Sequence, residues 1–200
     1  MPDESARPNA LPSSTRLEAF SDGVIAIIVT IMVLELKVPH DDDTPAGLLH
    51  LWPTFLSYAL SFFLVAIYWV NHHQLFTRVE AVNHSILWAN NLLLFCISLI
   101  PFATAYVGEN HISAFPAALY AAILFICGLA FMLLAKFIVA AAPSDSDIRA
   151  LDRAATRKNV IALVIYAVGV ALAYVHPALT IVCIFIVALM YFSPTRWLKI

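Results

Sequence analysis

The segment Arg16–Val38 has the sequence RLEAFSDGVIAIIVTIMVLELKV and stands apart from the other apolar segments of this chain. Its charge-free core, Gly23–Leu34, has only 12 residues, with two acids before it and Glu35 and Lys37 after it. A helix that faces lipid needs about 20 apolar residues, so this core is too short for that role. The whole segment is long enough to cross a membrane inside a bundle, with its terminal charges meeting water or protein groups. We therefore predict a membrane-crossing helix at the centre of an assembly.

The composition of the rest of the chain indicates a polytopic membrane protein. Hydrophobic residues make up 62% of the 200 residues, and charged residues only 12%. A typical soluble domain is about 45–50% apolar and about 25% charged. These proportions exclude an ordinary water-soluble globule, a disordered chain and a nucleic-acid-binding protein, and they provide enough apolar residues for six spans of about 20 residues each. We predict one all-α membrane domain.

Charge-free runs locate the other five spans. The clearest runs predict helices over residues 53–76, 85–107 and 114–138. The last run, Asn159–Thr195, has 37 residues and would be about 55 Å long as a single helix, which is too long for one crossing. Because the residue before a proline avoids the α region, His176-Pro177 favours a hairpin of two helices, over residues 160–175 and 178–192.

The distribution of basic residues predicts the orientation in the membrane. Six crossings place both termini on one side, and 10 of the 11 Lys and Arg residues fall on that side, Lys37 being the exception. Cytoplasmic loops carry such an excess, so we predict cytoplasmic termini and a cell-membrane location. We predict that residues 1–15 are a disordered cytoplasmic tail and that residues 16–200 form the membrane domain. Within that domain, the loop Pro143–Lys158 is predicted to form a short surface helix.

One face of the first helix carries a ladder of apolar residues with a single hydroxyl. At 100° per residue, Ile27, Thr30 and Leu34 share this face with Gly23, and Ile31 flanks it. Such spacing also fits simple packing between helices. Acids occupy another face, and an ionisable group near a membrane indicates a functional or structural polar network.

The start of this helix resembles a known family. Residues 16–23, Arg-Leu-Glu-Ala-Phe-Ser-Asp-Gly, resemble the Arg-x-x-x-Phe-Ser-Asp signature that opens the transmembrane-protein-175 potassium channel family. The similarity continues through Trp69, Asn71-His72-His73 and Leu75-Phe76 in the second span. In the third span it includes Trp88, Asn90-Asn91 with the leucines that follow, and Ser98-Leu99-Ile100-Pro101-Phe102. It covers residues 16–107 in order.

The resemblance implies a potassium-selective cation channel that lacks the usual carbonyl-lined filter, since the chain has no Thr-Val-Gly-Tyr-Gly. In this family the first helices line a central pore. The resemblance assigns the hydrophobic constriction to Ile27, a selectivity role to Thr30 and a further ring to Leu34. The Phe-Ser-Asp signature occurs once in this chain, which implies a homotetramer. No cofactor is expected besides permeating potassium ions, and the chain has neither His-Glu-x-x-His nor Gly-x-Ser-x-Gly, so we predict that it is not an enzyme.

Two further sets of residues are candidates for supporting roles. A polar network is predicted to hold the first helix by offsetting the cost of burying its charges. Its members would be Arg16, Ser21, Asp22, Trp69, His73, Asn90 and Asn91. An outer acidic cluster, Asp41, Asp42 and Asp43, could concentrate cations at the pore mouth or form a solvated loop.

The main alternative is a proton-coupled secondary transporter or a proton-conducting membrane protein. Such transporters usually have broken helices near the membrane midplane, whereas the first helix has no interior proline and no acid in the middle of its span. His72 and His73 are adjacent and would point about 100° apart on a helix, which disfavours a shared metal or haem. Proton sensing by a histidine remains open.

Overall fold

A computed structural model describes residues 13–38, 44–77, 79, 82–141 and 146–192, with the backbone alone for residues 146–154. Eight α-helices and one 3₁₀ turn lie within these ranges, which confirms the predicted all-α class. The first half contains α1 Ser14–Ile31, the 3₁₀ turn Met32–Glu35, α2 Pro45–His50, α3 Trp52–Phe76 and α4 His84–Ser98. The second half contains α5 Ile100–Glu109, α6 Ala114–Ala141, α7 Ser146–Leu172 and α8 Pro177–Phe192.

The first helix begins earlier than the sequence predicts and ends in a tighter turn. The Ser13 hydroxyl oxygen accepts a hydrogen bond from the Arg16 backbone N–H at 3.3 Å, which satisfies a donor that a helix start otherwise leaves unpaired. Ser14 and Thr15 are therefore helical, and the predicted disordered tail over residues 1–15 is wrong for these two positions. Residues 1–12 lie outside the described residues. At its other end α1 passes into the 3₁₀ turn at Met32.

The third span is two helices rather than the single one predicted over residues 85–107. α4 ends at Ser98 and α5 begins at Ile100, with Leu99 between them. Pro101 follows at once, and its missing N–H and its ring disrupt the helix one turn earlier. Together α4 and α5 cover the 26 residues His84–Glu109 and form one apolar crossing segment.

The predicted short surface helix over Pro143–Lys158 is not a separate element. α7 runs without a break from Ser146 to Leu172, so the charged residues form its first turns and the apolar residues its remainder. The turn between α7 and α8 occupies residues 173–176, and Pro177 is the first residue of α8.

Among the described residues, five helical segments are long and apolar enough to cross a membrane: Ser14–Glu35, Trp52–Phe76, His84–Glu109, Ala114–Ala141 and Ala155–Leu172. α8 is equally apolar but has only 16 residues. At 1.5 Å per residue it is about 24 Å long, somewhat less than the hydrocarbon core of a bilayer. These helices make the chain a multi-pass membrane protein.

α6 lies at the centre of the bundle and α1 at its edge. α6 packs against α4, α5, α7 and α8, whereas α1 packs against α3, α4 and α5. Inside the bundle, Tyr120 of α6, Ser61 of α3 and Thr104 of α5 form a buried chain of hydroxyl groups, with both O···O distances at 2.6 Å. The three cysteines are free. Because α1 covers only one side of the bundle, much of its surface stays uncovered within one chain.

Candidate pore helix and its polar attachment

α1 attaches to the bundle by one face. The buried residues on this face recur every three or four positions and are Leu17, Ser21, Ile25, Ile28 and, in the 3₁₀ turn, Met32. This face lies about 150° around the helix from the middle of the ladder, at 100° per residue. The attachment of α1 therefore turns the ladder away from its own chain.

The ladder residues are exposed within the single chain. Ile27 is 62% exposed, Leu34 73% and Ile31 42%, and Thr30 is exposed too. The Thr30 hydroxyl donates to the Ile27 carbonyl oxygen at 2.9 Å, and its oxygen can still accept hydrogen bonds. A Cβ added to Gly23 would meet nothing within 4 Å. The structure thus leaves a full-length apolar stripe with one hydroxyl for contact with something outside this chain.

The 3₁₀ turn changes the position of Leu34 on this stripe. A 3₁₀ helix turns 120° per residue instead of 100°, so residues 32–34 rotate Leu34 by about 60° beyond its α-helical position. Leu34 therefore moves from the middle of the face that the α-helical spacing predicts to its edge. Leu34 lies closer to the line of Ile31, one turn further along the helix.

The buried face of α1 carries a directed chain of hydrogen bonds. The Ser21 hydroxyl donates to the Leu17 carbonyl at 2.8 Å, and the Asn90 side-chain amide donates to the Ser21 oxygen at 2.9 Å. The Asn90 carbonyl oxygen then lies 2.8 Å from His72 Nε2. Ser21, Asn90 and His72 are all fully buried. Three helices, α1, α3 and α4, are joined through a single amide side chain.

Two more polar contacts hold α1 to α3 on the more exposed side. Trp69 Nε1 donates to an Asp22 carboxylate oxygen at 2.9 Å. His73 Nδ1 lies 2.8 Å from a Glu18 carboxylate oxygen, and the Trp69 and His73 rings stack with centroids 6.1 Å apart. The acids of α1 therefore meet partners from α3 rather than lipid.

The structure places five of the seven predicted network residues in these contacts and leaves two outside. Ser21, Asp22, Trp69, His73 and Asn90 take part. The Arg16 side chain is exposed and Asn91 is half-buried, and neither side chain has a hydrogen bond within the part of the chain that the structure describes. Arg16 takes part only through its backbone N–H at the helix cap.

His72 and Glu18 are contact residues that the sequence-based prediction missed. A signal for His72 was present in the spacing of α3. His72 lies 11 residues after Ser61, seven after Val65 and four before Phe76. These spacings place all four side chains on one face of α3, which is buried. His73, one position later, faces outward.

At the opposite end of α1, Lys37 pairs with Glu109 at the end of α5. The hydrogen bond and charge of Glu109 raise the pKa of Lys37, which lies outside the membrane-spanning segments. Both side chains are more than half exposed, so the pair contributes little to stability. The predicted outer cluster Asp41, Asp42 and Asp43 lies outside the described residues.

Comparison with known proteins decides the family. The chain is 42% identical over 181 residues to a protein named as a potassium channel from Chryseobacterium sp. (strain P1-3), covering 90% of this chain and 93% of that protein. The family model for the endosomal/lysosomal potassium channel TMEM175 matches residues 16–101. This chain belongs to the TMEM175 family. Its members are ion channels rather than enzymes, and no cofactor is expected.

Further TMEM175 relatives differ in how much of them this chain covers. A crystal structure of a lysosomal potassium-selective channel TMEM175 homolog from Chamaesiphon minutus has a TM-score of 0.79 and 33% identity, covering 90% of this chain and 96% of that one. Human TMEM175, named as an endosomal/lysosomal proton channel, is 35% identical over 102 residues, which is 46% of this chain and 20% of the human protein.

The part of the chain that the TMEM175 family model matches is the part that holds α1. Residues 16–101 contain all of α1 except its first two residues, then α2, α3 and α4, and end at Pro101, the second residue of α5. All the hydrogen bonds between α1 and the rest of the bundle described above fall within this range. The family similarity is thus centred on the candidate pore helix and its attachment.

Proposed function

We propose that this TMEM175 channel is selective for potassium and that the α1 helices of four copies line its central pore. The observation that carries the proposal is the exposed ladder on α1, opposite the face that attaches the helix to its own chain. A helix with a 12-residue charge-free core and acids near both ends is poorly suited to lipid. Four such stripes facing one axis would instead cover each other and leave a narrow channel between them.

The proposed constriction is a ring of four Ile27 side chains. Apolar constrictions gate by dewetting, and an ion that passes must give up part of its hydration shell. Potassium holds its shell less tightly than sodium, so the same ring lets potassium pass at a lower cost. Leu34 and Ile31 would form the next apolar layer toward the outer mouth.

Thr30 is the proposed polar position between these layers. Its hydroxyl hydrogen is engaged with the Ile27 carbonyl, which leaves the oxygen lone pairs as acceptors for a partly dehydrated cation. The ring of hydroxyl oxygens would then offset some of the hydration lost at Ile27, in a pore without a filter of backbone carbonyls.

Four copies are what the resemblance to the TMEM175 family implies for a chain that carries its signature once. One helix cannot enclose a pore, and copies of one chain most simply close a ring by rotation. We propose a homotetramer with cyclic symmetry, six crossings per chain with α8 as the sixth, and cytoplasmic termini in the cell membrane. The acids at positions 41–43 would then lie at the outer mouth.

A flux measurement with purified protein in liposomes or a planar bilayer tests this function. Under opposed potassium and sodium gradients we expect a reversal potential displaced toward the potassium equilibrium potential. A reversal potential near zero would contradict selectivity, and a current carried by protons alone would favour the alternative of a proton-conducting protein or proton-coupled transporter. The proton current has to be measured because some relatives are named as proton channels.

A further inference from the structure

His72 has one ring nitrogen without a partner in a fully buried position. Its side chain is 0% exposed and its ring stacks on Phe76 with centroids 4.3 Å apart. Nε2 contacts Asn90, whereas Nδ1 is buried and has no hydrogen-bond partner within the described chain. A buried polar atom without a partner is uncommon and calls for an explanation.

The hydrogen bonds around His72 determine where its proton lies. The Ser21 hydroxyl donates to the Leu17 carbonyl, so its oxygen is free to accept from the Asn90 amide. The Asn90 carbonyl oxygen therefore faces His72 and can only accept. It follows that Nε2 carries the proton and donates to Asn90, and that Nδ1 carries a bare lone pair.

A second proton on His72 would have no acceptor in this arrangement. It would sit on Nδ1, creating a fully buried imidazolium with an unpaired N–H. The charged groups near it on α1 are Glu18 and Asp22, which His73 and Trp69 already engage. On α3 itself, the titratable residue next to His72 is His73. On α4, the residue that contacts His72 is the neutral Asn90, and the titratable His84 lies six residues earlier, at the start of that helix.

We propose that His72 is a proton-controlled latch for α1: the chain Ser21–Asn90–His72 forms only while His72 is neutral, and acid at this end of the channel releases it. The proposal rests on the proposed function, since releasing α1 regulates permeation only where α1 lines the pore. The occupancy of the closed latch changes by up to about tenfold per pH unit for one proton bound.

His73, the next residue on α3, lies in a different environment. Its side chain is 53% exposed and its Nδ1 faces the Glu18 carboxylate at 2.8 Å, so this ring has both water and an acceptor beside it. The two adjacent histidines thus hold α1 from a buried and an exposed position, and His73 supplies a matched control.

The test uses His72→Gln, with His73→Gln as the control. A glutamine amide nitrogen reaches about as far from the backbone as Nε2, so it keeps the donor to Asn90 and removes the titratable group. Thermal unfolding of the detergent-solubilised channel is measured between pH 7.5 and 5.0. We expect wild type and His73→Gln to lose about 3–6 °C of Tm per pH unit more than His72→Gln within the titration range. An equal acid-induced loss in wild type and His72→Gln would overturn the proposal.

Two further measurements separate the latch from the pore. If His72→Gln fails to fold, structures of the wild-type channel at pH 7.5 and 5.0 decide instead: the proposal requires the His72–Asn90 contact to open at pH 5.0, and an intact contact overturns it. Potassium flux from liposomes at both pH values tests the regulatory consequence. A wild-type protein without flux at either pH would contradict the proposed function, while the Tm comparison would still test the latch.

Discussion

At the scale of single residues, this chain separates two kinds of side chain on one helix. Ile27 and its neighbours on the ladder are largely exposed within their own chain, whereas Ser21 is fully buried and hydrogen-bonded. Burial and hydrogen bonding therefore determine the stability of the single chain, and the exposed ladder contributes to it very little. Substitutions on the two faces should have opposite effects on stability and permeation.

Replacing Ile27 with Asn should change permeation and leave the fold intact. A polar amide wets an apolar constriction, so we expect higher conductance and a lower potassium-to-sodium selectivity. Ile126→Asn on α6 is the matched control, because Ile126 is a 49% exposed isoleucine on another helix. Bilayer currents under a potassium/sodium gradient compare the two variants. Unchanged selectivity in Ile27→Asn would place the selective constriction elsewhere.

Replacing Asn90 with Leu should destabilise the channel strongly. The substitution leaves the buried Ser21 oxygen without its donor and His72 Nε2 without its acceptor, at a cost of about 2–5 kcal/mol for two unsatisfied groups. Asn91→Leu is the control, since Asn91 has no side-chain hydrogen bond within the described residues, and it should cost less than about 1 kcal/mol. Denaturation in detergent measures both, and equal losses would mean that the network does not hold α1.

At the scale of elements, two helices depart from regular geometry at places where they meet a neighbour. α1 tightens into a 3₁₀ turn at Met32, whose side chain is fully buried, and the third span breaks at Leu99 just before Pro101. α5 then approaches α3 closely at Gly108. A Cβ atom added to this glycine would lie only 3.0 Å from the Thr54 Cα atom. Small residues allow such close backbone contact in membrane bundles.

The two glycines Gly108 and Gly23 should respond oppositely to alanine. In Gly108→Ala the new methyl group meets Thr54 backbone, so the helices must separate, which costs about 1–3 kcal/mol. In Gly23→Ala the methyl group meets nothing within 4 Å of its own chain, and the better helix propensity of alanine favours folding by about 0.5–1 kcal/mol. Thermal unfolding distinguishes the variants. A stable Gly108→Ala would show that α3 and α5 can move apart freely.

At the scale of the whole molecule, α1 lies at the edge of its bundle, and the proposed pore therefore requires several copies of the chain. α1 is covered on one side by α3, α4 and α5, and its ladder faces away from them. In the proposed pore, function depends on contacts between copies. The oligomeric state is therefore the property that most directly tests the proposed pore.

A cross-linking experiment tests the assembly. With Cys96, Cys127 and Cys183 replaced, a single cysteine at Leu34 should form disulfide-linked dimers on oxidation, because four copies would meet at this level. A cysteine at Val182, 51% exposed on α8, is the control and should remain monomeric. Native mass spectrometry should give four times the 22.0 kDa chain mass. Cross-linking at Val182 but not at Leu34 would contradict a pore lined by α1.

The sequence alone determined the properties that depend on local pattern and composition. The apolar content identified a multi-pass all-helical membrane protein, the Phe-Ser-Asp signature identified the family, and the helical period placed Ile27 and Thr30 on one face. The tendency of apolar side chains to leave water and the spacing of residues around a helix both depend on the local sequence. The properties that follow from them can therefore be predicted without a tertiary structure.

Only the tertiary structure decided which polar groups meet and where helices deviate. It brought His72 to Asn90 and Glu18 to His73, left Arg16 and Asn91 outside, rotated Leu34 through the 3₁₀ turn and merged the loop before α7 into that helix. A hydrogen bond requires two atoms within about 3 Å and aligned. Whether two side chains on different helices satisfy that condition depends on how the helices pack, which no local pattern along the chain specifies.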